Sequence, residues 1–180
     1  MNNIPNKLTM IRVILIPFFI VFMLWDAVPY GEYIAAAVFI LACITDFFDG
    51  YLARKYNETT TFGKFMDPLA DKLLVCSAMI CLVDKGRLAS WIVIIIISRE
   101  FIISGFRLIA SDNGVVIAAS YWGKFKTVFQ MLMIIVLILD LGGSFVLLEQ
   151  ILIYVALILT VVSLVDYLMK NKDVLKDGGK

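Results

Sequence analysis

The chain has 180 residues, 62% of them hydrophobic and 17% charged, with a mean hydropathy of +0.94. Soluble domains are nearer half apolar and a quarter charged, so composition alone indicates an integral membrane protein. A formal net charge of +1 gives no reason to expect nucleic acid as a partner, and the absence of histidine removes every mechanism built on imidazole.

Apolar stretches fall at roughly 8–26, 32–55, 67–84, 88–110, 121–140 and 146–169. Each is near the ~20 residues that a helix needs to cross the hydrocarbon core. A helix satisfies its own backbone hydrogen bonds in lipid, so the expected fold is an all-α bundle of six transmembrane helices, one domain over residues 1–180. Asn6, after Pro5, is the expected N-cap of the first helix. That helix carries "VILIPFFIVFMLW" with no A-x-A cleavage pattern after it, and reads as a retained span. Turn chemistry separates the later stretches: "WDAVPYGE", "DKGR", "SDNG" and "DLGGS". The tail "KNKDVLKDGGK" reads as a short basic end. Cys43, Cys76 and Cys81 lie inside apolar runs without CxxC spacing, and read as packing thiols.

Six spans bring both termini to one side. That side holds Lys7, Arg12, Arg54, Lys55, Lys64, Lys72, Arg107, Lys124, Lys126 and the lysines of the tail, whereas the opposite loops hold Lys85 and Arg87. The positive-inside rule then assigns both termini, and the loop between the second and third spans, to the cytoplasm of a cell-membrane protein.

Around that loop lies "DFFDGYLARKYNETTTFGKFMDPLAD", residues 46 to 71. Residues three or four apart share a helix face, so Asp46, Asp49, Gly50 and Ala53 form one stripe and Gly63, Asp67 and Asp71 another. If the two helices are antiparallel neighbours, four carboxylates share one pocket. Four such charges repel unless cations occupy the site. Oxygen-only ligation selects hard ions, Mg²⁺, Mn²⁺ or Ca²⁺, and a pair of ions is a known device for phosphoryl oxygens. The bland alternative is small-residue helix packing with incidental carboxylates. Four aspartates with two glycines and an arginine on matching faces argue against it, because ionisable groups in spans mark function.

The run Asp46-x2-Asp49-Gly50-x2-Ala53-Arg54-x8-Gly63-x3-Asp67-x3-Asp71 resembles the signature of the CDP-alcohol phosphotransferase family, at the family spacing throughout. Family members also have a core of six transmembrane helices. They move a phosphatidyl or related group from a CDP-linked donor to an alcohol, releasing CMP. The resemblance implies two Mg²⁺ or Mn²⁺ ions held by Asp46, Asp49 and Asp67 with a contribution from Asp71, which is also the candidate general base. It implies Gly50, Ala53 and Gly63 against the cytidine of the donor and Arg54 on its phosphate. The N-terminal "PNKLTMIR" resembles a further family element, with Asn6, Thr9 and Arg12 bordering the nucleotide. It also implies a homodimer.

The signature leaves the acceptor alcohol open. "SREFIISGFR", residues 98 to 107, and "GKFKT", residues 123 to 127, supply Arg99, Arg107, Lys124 and Lys126. Structural pairing of Arg99 with Glu100 or with an aspartate, and snorkelling of Arg107 and Lys124, are the bland readings. An uncharged acceptor needs no such cations, whereas one carrying its own phosphate does. These segments resemble the bacterial branch of the family that uses sn-glycerol 3-phosphate. The reaction implied is CDP-diacylglycerol plus sn-glycerol 3-phosphate giving phosphatidylglycerol phosphate and CMP. Inositol phosphate, phosphatidylglycerol and serine are the alternative acceptors. A divalent-cation transporter is the alternative of a different class, opposed by Arg54 beside the metals and by the lack of a matching acidic ring in the outer halves of the spans.

Overall fold

The computed structural model describes residues 4–56, 61–112, 117 and 120–172, with the side chains at 4–9, 46–56, 61–68 and 112 outside that description. The described residues are helical, with no strand. In chain order the helices are α1 (Ile4–Leu24), α2 (Gly31–Tyr56), α3 (Thr61–Asp84), α4 (Ser90–Asp112), α5 (Tyr121–Leu139) and α6 (Val146–Lys170), with a 3₁₀ turn at Gly143–Phe145 before α6. All six apolar stretches are helices. Two differences from expectation stand out. α1 begins at Ile4, so Asn6 lies inside its first turn and is not the N-cap. α3 begins at Thr61, six residues before the expected stretch, because Thr61, Gly63 and Lys64 interrupt the apolar residues Phe62, Phe65 and Met66 and hide the helix start from a hydropathy reading.

Among the described residues, two segments are by length and composition long and apolar enough to cross a membrane: Tyr121–Leu139, and Gly143–Lys170, which includes the 3₁₀ turn. Met10–Leu24 and Gly31–Thr45 are shorter apolar helical segments. α6 shows how such a helix is built. Its buried stripe is Leu152, Ala156, Thr160, Ser163 and Tyr167, while Ile151, Tyr154, Ile158, Val161 and Val165 are exposed. The small and hydroxylated residues face inward and the bulky apolar ones outward, the reverse of a water-soluble helix. Such a surface suits lipid, and the whole is consistent with a helical membrane protein.

The chain divides into two compact units, Met1–Leu88 with Ile134–Asp140, and Ala89–Met133 with Leu141–Lys180. In the first, α1 packs on both α2 and α3. The α1–α2 contact is close because Gly31 has no side chain: a Cβ there would lie 2.6 Å from the Phe22 carbonyl oxygen. Phe19 and Phe39 meet with ring centroids 6.0 Å apart, and Ala35, Ala36, Ala42, Ala70 and Ala78 are buried. α1 and α3 run parallel, tied by two ion pairs each spanning 59 residues of sequence: Arg12 with Asp71, and Lys85 with Asp26.

In the second unit α4 and α6 also run parallel, with Arg99 beside Ser163 and Phe106 beside Tyr167. Ile103, Phe106 and Tyr167 form a small apolar cluster flanked by Ile117, Leu164 and Leu168. The glycines of the "DLGGS" turn, Gly142 and Gly143, have φ of 61° and 52°, a left-handed region in which a side chain is strained. Of the cysteines, Cys81 is buried and Cys43 and Cys76 are half-buried.

Candidate active site

The backbone carries Asp46, Asp49, Gly50, Ala53 and Arg54 on the last turns of α2, and Gly63 and Asp67 on the first turns of α3. Asn6 and Thr9 lie on the first turns of α1. The side chains of all nine lie outside the described residues. Asp71 is the described member of the aspartate set. Its Oδ1 accepts a hydrogen bond of 2.6 Å from Nη1 of Arg12, whose side chain is 1% exposed against 38% for Asp71. A charge-assisted bond of this length orients the carboxylate firmly. Arg12 was expected near the nucleotide, and the structure pairs it with Asp71. Parallel packing of α1 and α3 makes the pair, and only the fold reveals that alignment.

The opposite ends of α1 and α3 hold a different cluster. Lys85 Nζ donates to Asp26 at 2.6 Å, and Arg87 Nη2 donates to both carboxylate oxygens of Glu32 at 2.8 Å. Arg87 also pairs with Asp140 at 2.9 Å and donates from Nη1 to the Leu137 and Ile138 carbonyls at the end of α5. Last-turn carbonyls lack intrahelical donors, so Arg87 completes that helix end. The Lys85 hydrogen bond and charge hold the Asp26 carboxyl below its usual range, and the same hydrogen bond lifts Lys85 above the usual lysine range. A cavity of about 300 Å³ adjoins this cluster, lined in part by Trp25, Tyr30, Tyr33 and Lys85. It lies roughly 20 Å along the helix axis from the Arg12–Asp71 pair, at 1.5 Å per residue.

In the second unit the four cations expected to hold the acceptor phosphate divide into two pairs. Arg99 and Lys126 are buried, at 8% and 2% exposure. Glu100 Oε1 accepts from Arg99 Nη1 at 3.1 Å and from Lys126 Nζ. Arg99 Nε donates to Ser163 Oγ at 3.1 Å. Beside Arg99 Nη2 lies Gly123, where an added Cβ would sit 3.4 Å away. Arg107 and Lys124 are exposed; each lies over an aromatic face, Arg107 at 5.8 Å from the Tyr167 ring centroid and Lys124 at 5.5 Å from that of Tyr121. The bland reading of Arg99 with Glu100 therefore describes part of the arrangement. Lys126 is committed to Glu100 as its counter-ion, and Glu100 was not singled out by the sequence as the group that joins the two cations. The signal was present, since a carboxylate beside an arginine inside an apolar run must find a partner.

A profile of the CDP-alcohol phosphatidyltransferase family matches residues 2–162. The chain belongs to that family. Membership is carried along nearly the whole chain. The chain is 43% identical to the CDP-diacylglycerol--glycerol-3-phosphate 3-phosphatidyltransferase of Bacillus subtilis, over 98% of each chain. Against the protein of the same name from Haemophilus influenzae it is 42% identical, over 98% of this chain and 97% of the other. A probable phosphatidylglycerophosphate synthase of Mycobacterium tuberculosis is 38% identical over 93% of this chain and 81% of its own. The profile spans Arg12, the aspartate run and the Arg99–Lys126 cluster, and stops just short of Ser163 and Tyr167.

Proposed function

We propose that this family member transfers a phosphatidyl group from CDP-diacylglycerol to sn-glycerol 3-phosphate, giving phosphatidylglycerol phosphate and CMP. The observation that carries the reading is its end-to-end similarity to enzymes named for that reaction, 43% identical in the first case. The acceptor hydroxyl oxygen forms a bond to the donor phosphorus, the bond from that phosphorus to the CMP oxygen breaks, and the hydroxyl proton passes to Asp71. Arg12, donating to Asp71 Oδ1, fixes how that carboxylate is turned. Arg54 holds donor phosphate, while Gly50, Ala53 and Gly63 leave room for the cytidine, with Asn6 and Thr9 at its border. Arg99, Arg107 and Lys124 hold the acceptor phosphate; Lys126 acts through Glu100, to which it is bound.

The donor set of Asp46, Asp49, Asp67 and Asp71 is all carboxylate oxygen in a chain without histidine, which fits two Mg²⁺ or Mn²⁺ ions. Ions held there would offset pyrophosphate charge and stabilise the departing CMP. Positioning by the protein supplies the rest, since phosphoryl transfer asks for little covalent chemistry from side chains.

We further read the chain as six spans of the cell membrane with both termini and the aspartates on the cytoplasmic side. Parallel α1 and α3 in one unit, and parallel α4 and α6 in the other, fit helices that alternate in direction. Lys85 and Arg87, the basic residues assigned to the far side, are both neutralised by carboxylates.

The test is CMP release by purified protein in detergent with CDP-diacylglycerol and Mg²⁺, repeated with sn-glycerol 3-phosphate, inositol phosphate, phosphatidylglycerol and serine. Release with sn-glycerol 3-phosphate alone is the expected result. Release with another alcohol corrects the acceptor, and no release with any, joined to metal uptake by proteoliposomes, favours a transporter.

A further inference from the structure

The C-terminal end of α6 touches both arginines assigned to the acceptor phosphate. Ser163 is fully buried, and its Oγ accepts from Arg99 Nε at 3.1 Å while donating to the Thr160 carbonyl at 3.0 Å. The serine proton is thus occupied, and its lone pair is aimed at the arginine. One helical turn later, Tyr167 presents its ring to the Arg107 guanidinium at 5.8 Å. Phe106 holds that ring edge-on, with centroids 5.9 Å apart and planes at 81°. Residues four apart on a helix share a face, so one short face of α6 reaches both cations. Arg107 and Tyr167 also lie within electrostatic reach of Arg99.

We propose that Ser163 and Tyr167 are positioning residues for the phosphate of the acceptor alcohol, Ser163 by fixing the plane of the Arg99 guanidinium and Tyr167 by carrying Arg107 on its ring. The inference rests on the acceptor reading above, and adds two residues beyond the profile match, which ends at residue 162. Bidentate phosphate binding depends on the orientation of the guanidinium plane. Arg99 has Nε on Ser163 and Nη1 on Glu100, so two anchors hold the plane before substrate arrives. Losing the serine anchor leaves Arg99 charged and buried but free to rotate about the Glu100 contact. Arg107 is exposed, and its approach to the Tyr167 face is the contact that favours one placement of its guanidinium. The Tyr167 hydroxyl is buried and has no hydrogen-bond partner among the described residues, so the ring is the part of this side chain engaged with Arg107.

The experiment measures CMP release by the full-length protein, varying sn-glycerol 3-phosphate at saturating CDP-diacylglycerol and then the reverse. Ser163→Ala should raise the sn-glycerol 3-phosphate KM about 10-fold, the scale of one hydrogen bond to a charged group. Tyr167→Leu should raise it about 3–5-fold, the scale of a partly exposed cation–π contact. The donor KM should stay within about 2-fold in both, and inhibition by inorganic phosphate should weaken in the same proportion as acceptor binding. Tyr167→Phe, which keeps the ring, should return the acceptor KM to the wild-type value. A merely structural role would lower kcat and thermal stability without this selectivity, and would overturn the proposal. Equal impairment of Tyr167→Phe and Tyr167→Leu would overturn the ring's role by giving the work to the hydroxyl. If Tyr167→Leu does not fold, Ser163→Ala decides, and an unchanged acceptor KM there overturns the proposal. Failure of the wild type to release CMP with sn-glycerol 3-phosphate would instead overturn the acceptor reading and this inference with it.

Discussion

Glu100 holds two cations on one oxygen, and that fixes an order among substitutions in the cluster. The side chains of Glu100, Arg99 and Lys126 are 19%, 10% and 3% exposed, so solvent screens them little. Glu100→Ala strands both Arg99 and Lys126. Removing one partner of a buried pair costs about 3–5 kcal/mol, because the charge left behind is uncompensated. At ~2–4 °C per kcal/mol for a chain of this size, the apparent Tm should fall by about 6–20 °C. Lys126→Met is milder, since Glu100 keeps Arg99 at 3.1 Å, and about 1–2 kcal/mol is expected, the scale of one charge-assisted hydrogen bond. The double variant Glu100→Ala with Lys126→Met should lose less than the sum of the two single losses, with ~1–3 kcal/mol of coupling. Thermal unfolding in detergent micelles, followed by tryptophan fluorescence, measures all four proteins. If Glu100→Ala is no worse than Lys126→Met, or if the losses add, the carboxylate is not the shared counter-ion. Acceptor KM supplies a second check: Lys126→Met should move it less than Arg99→Ala, because Lys126 is already committed.

Asp71→Asn should cut kcat by ~10²–10⁴-fold while leaving metal binding intact, and a collapse of metal affinity would make Asp71 a ligand first. Excess EDTA should abolish CMP release and added Mg²⁺ restore it; full activity in EDTA would remove the metal from the scheme. Arg12→Ala should lower stability by about 1–2 kcal/mol, a charge-assisted bond discounted for the 38% exposure of Asp71, with Arg12→Lys restoring part of it. Gly31→Ala should cost about 1–3 kcal/mol, because its Cβ meets backbone at 2.6 Å and Phe22 cannot simply rotate away. The Asp26–Lys85 link sits in the loops and titrates. Asp26 is held below its usual range, so its contribution is complete above that range and is lost as pH falls through the lowered value; Lys85 is raised, so its contribution is lost only as strongly alkaline pH passes its own. Asp26→Asn should therefore lower Tm slightly at neutral pH and not at all in strong acid, and an equal difference at both pH values would refute the link.

The helices were legible because each is a long apolar run closed by turn residues. "DKGR" and "DLGGS" fall where Gly86, Gly142 and Gly143 take positive φ. The ends were less so. Thr61 to Met66 are helical, but Gly63 and Lys64 break their apolar residues into short pieces, and Asn6 reads as a cap until the helix is seen to start ahead of it. Helix pairing was not legible, since α6 is apolar around most of its circumference. What distinguishes its inner face is Thr160 and Ser163 among the apolar residues, a weak signal until α4 lies beside it.

The candidate site divides along the same line. The aspartate run lies within two consecutive helices, and the helical repeat is the whole argument for a shared face, since the side chains of Asp46, Asp49 and Asp67 lie outside the described residues. The cluster proposed for the acceptor phosphate is assembled from contacts separated by 26 residues for Lys126 with Glu100 and 64 for Arg99 with Ser163. No periodicity links those positions, so the sequence supplies the cations and offers Glu100 to Arg99, but leaves the Lys126–Glu100 and Arg99–Ser163 contacts unnamed. It follows that the cations alone overstate the number of ligands available to an acceptor phosphate. In a low-dielectric span most charges must first answer one another, and what remains for substrate is decided by which donor atoms the counter-ions leave over. Glu100 takes Lys126 and one edge of Arg99, whereas Arg107 and Lys124 rest on aromatic faces with no carboxylate partner among the described residues. On the proposed reading, specificity for a phosphorylated alcohol depends as much on the groups that occupy cations as on the cations themselves.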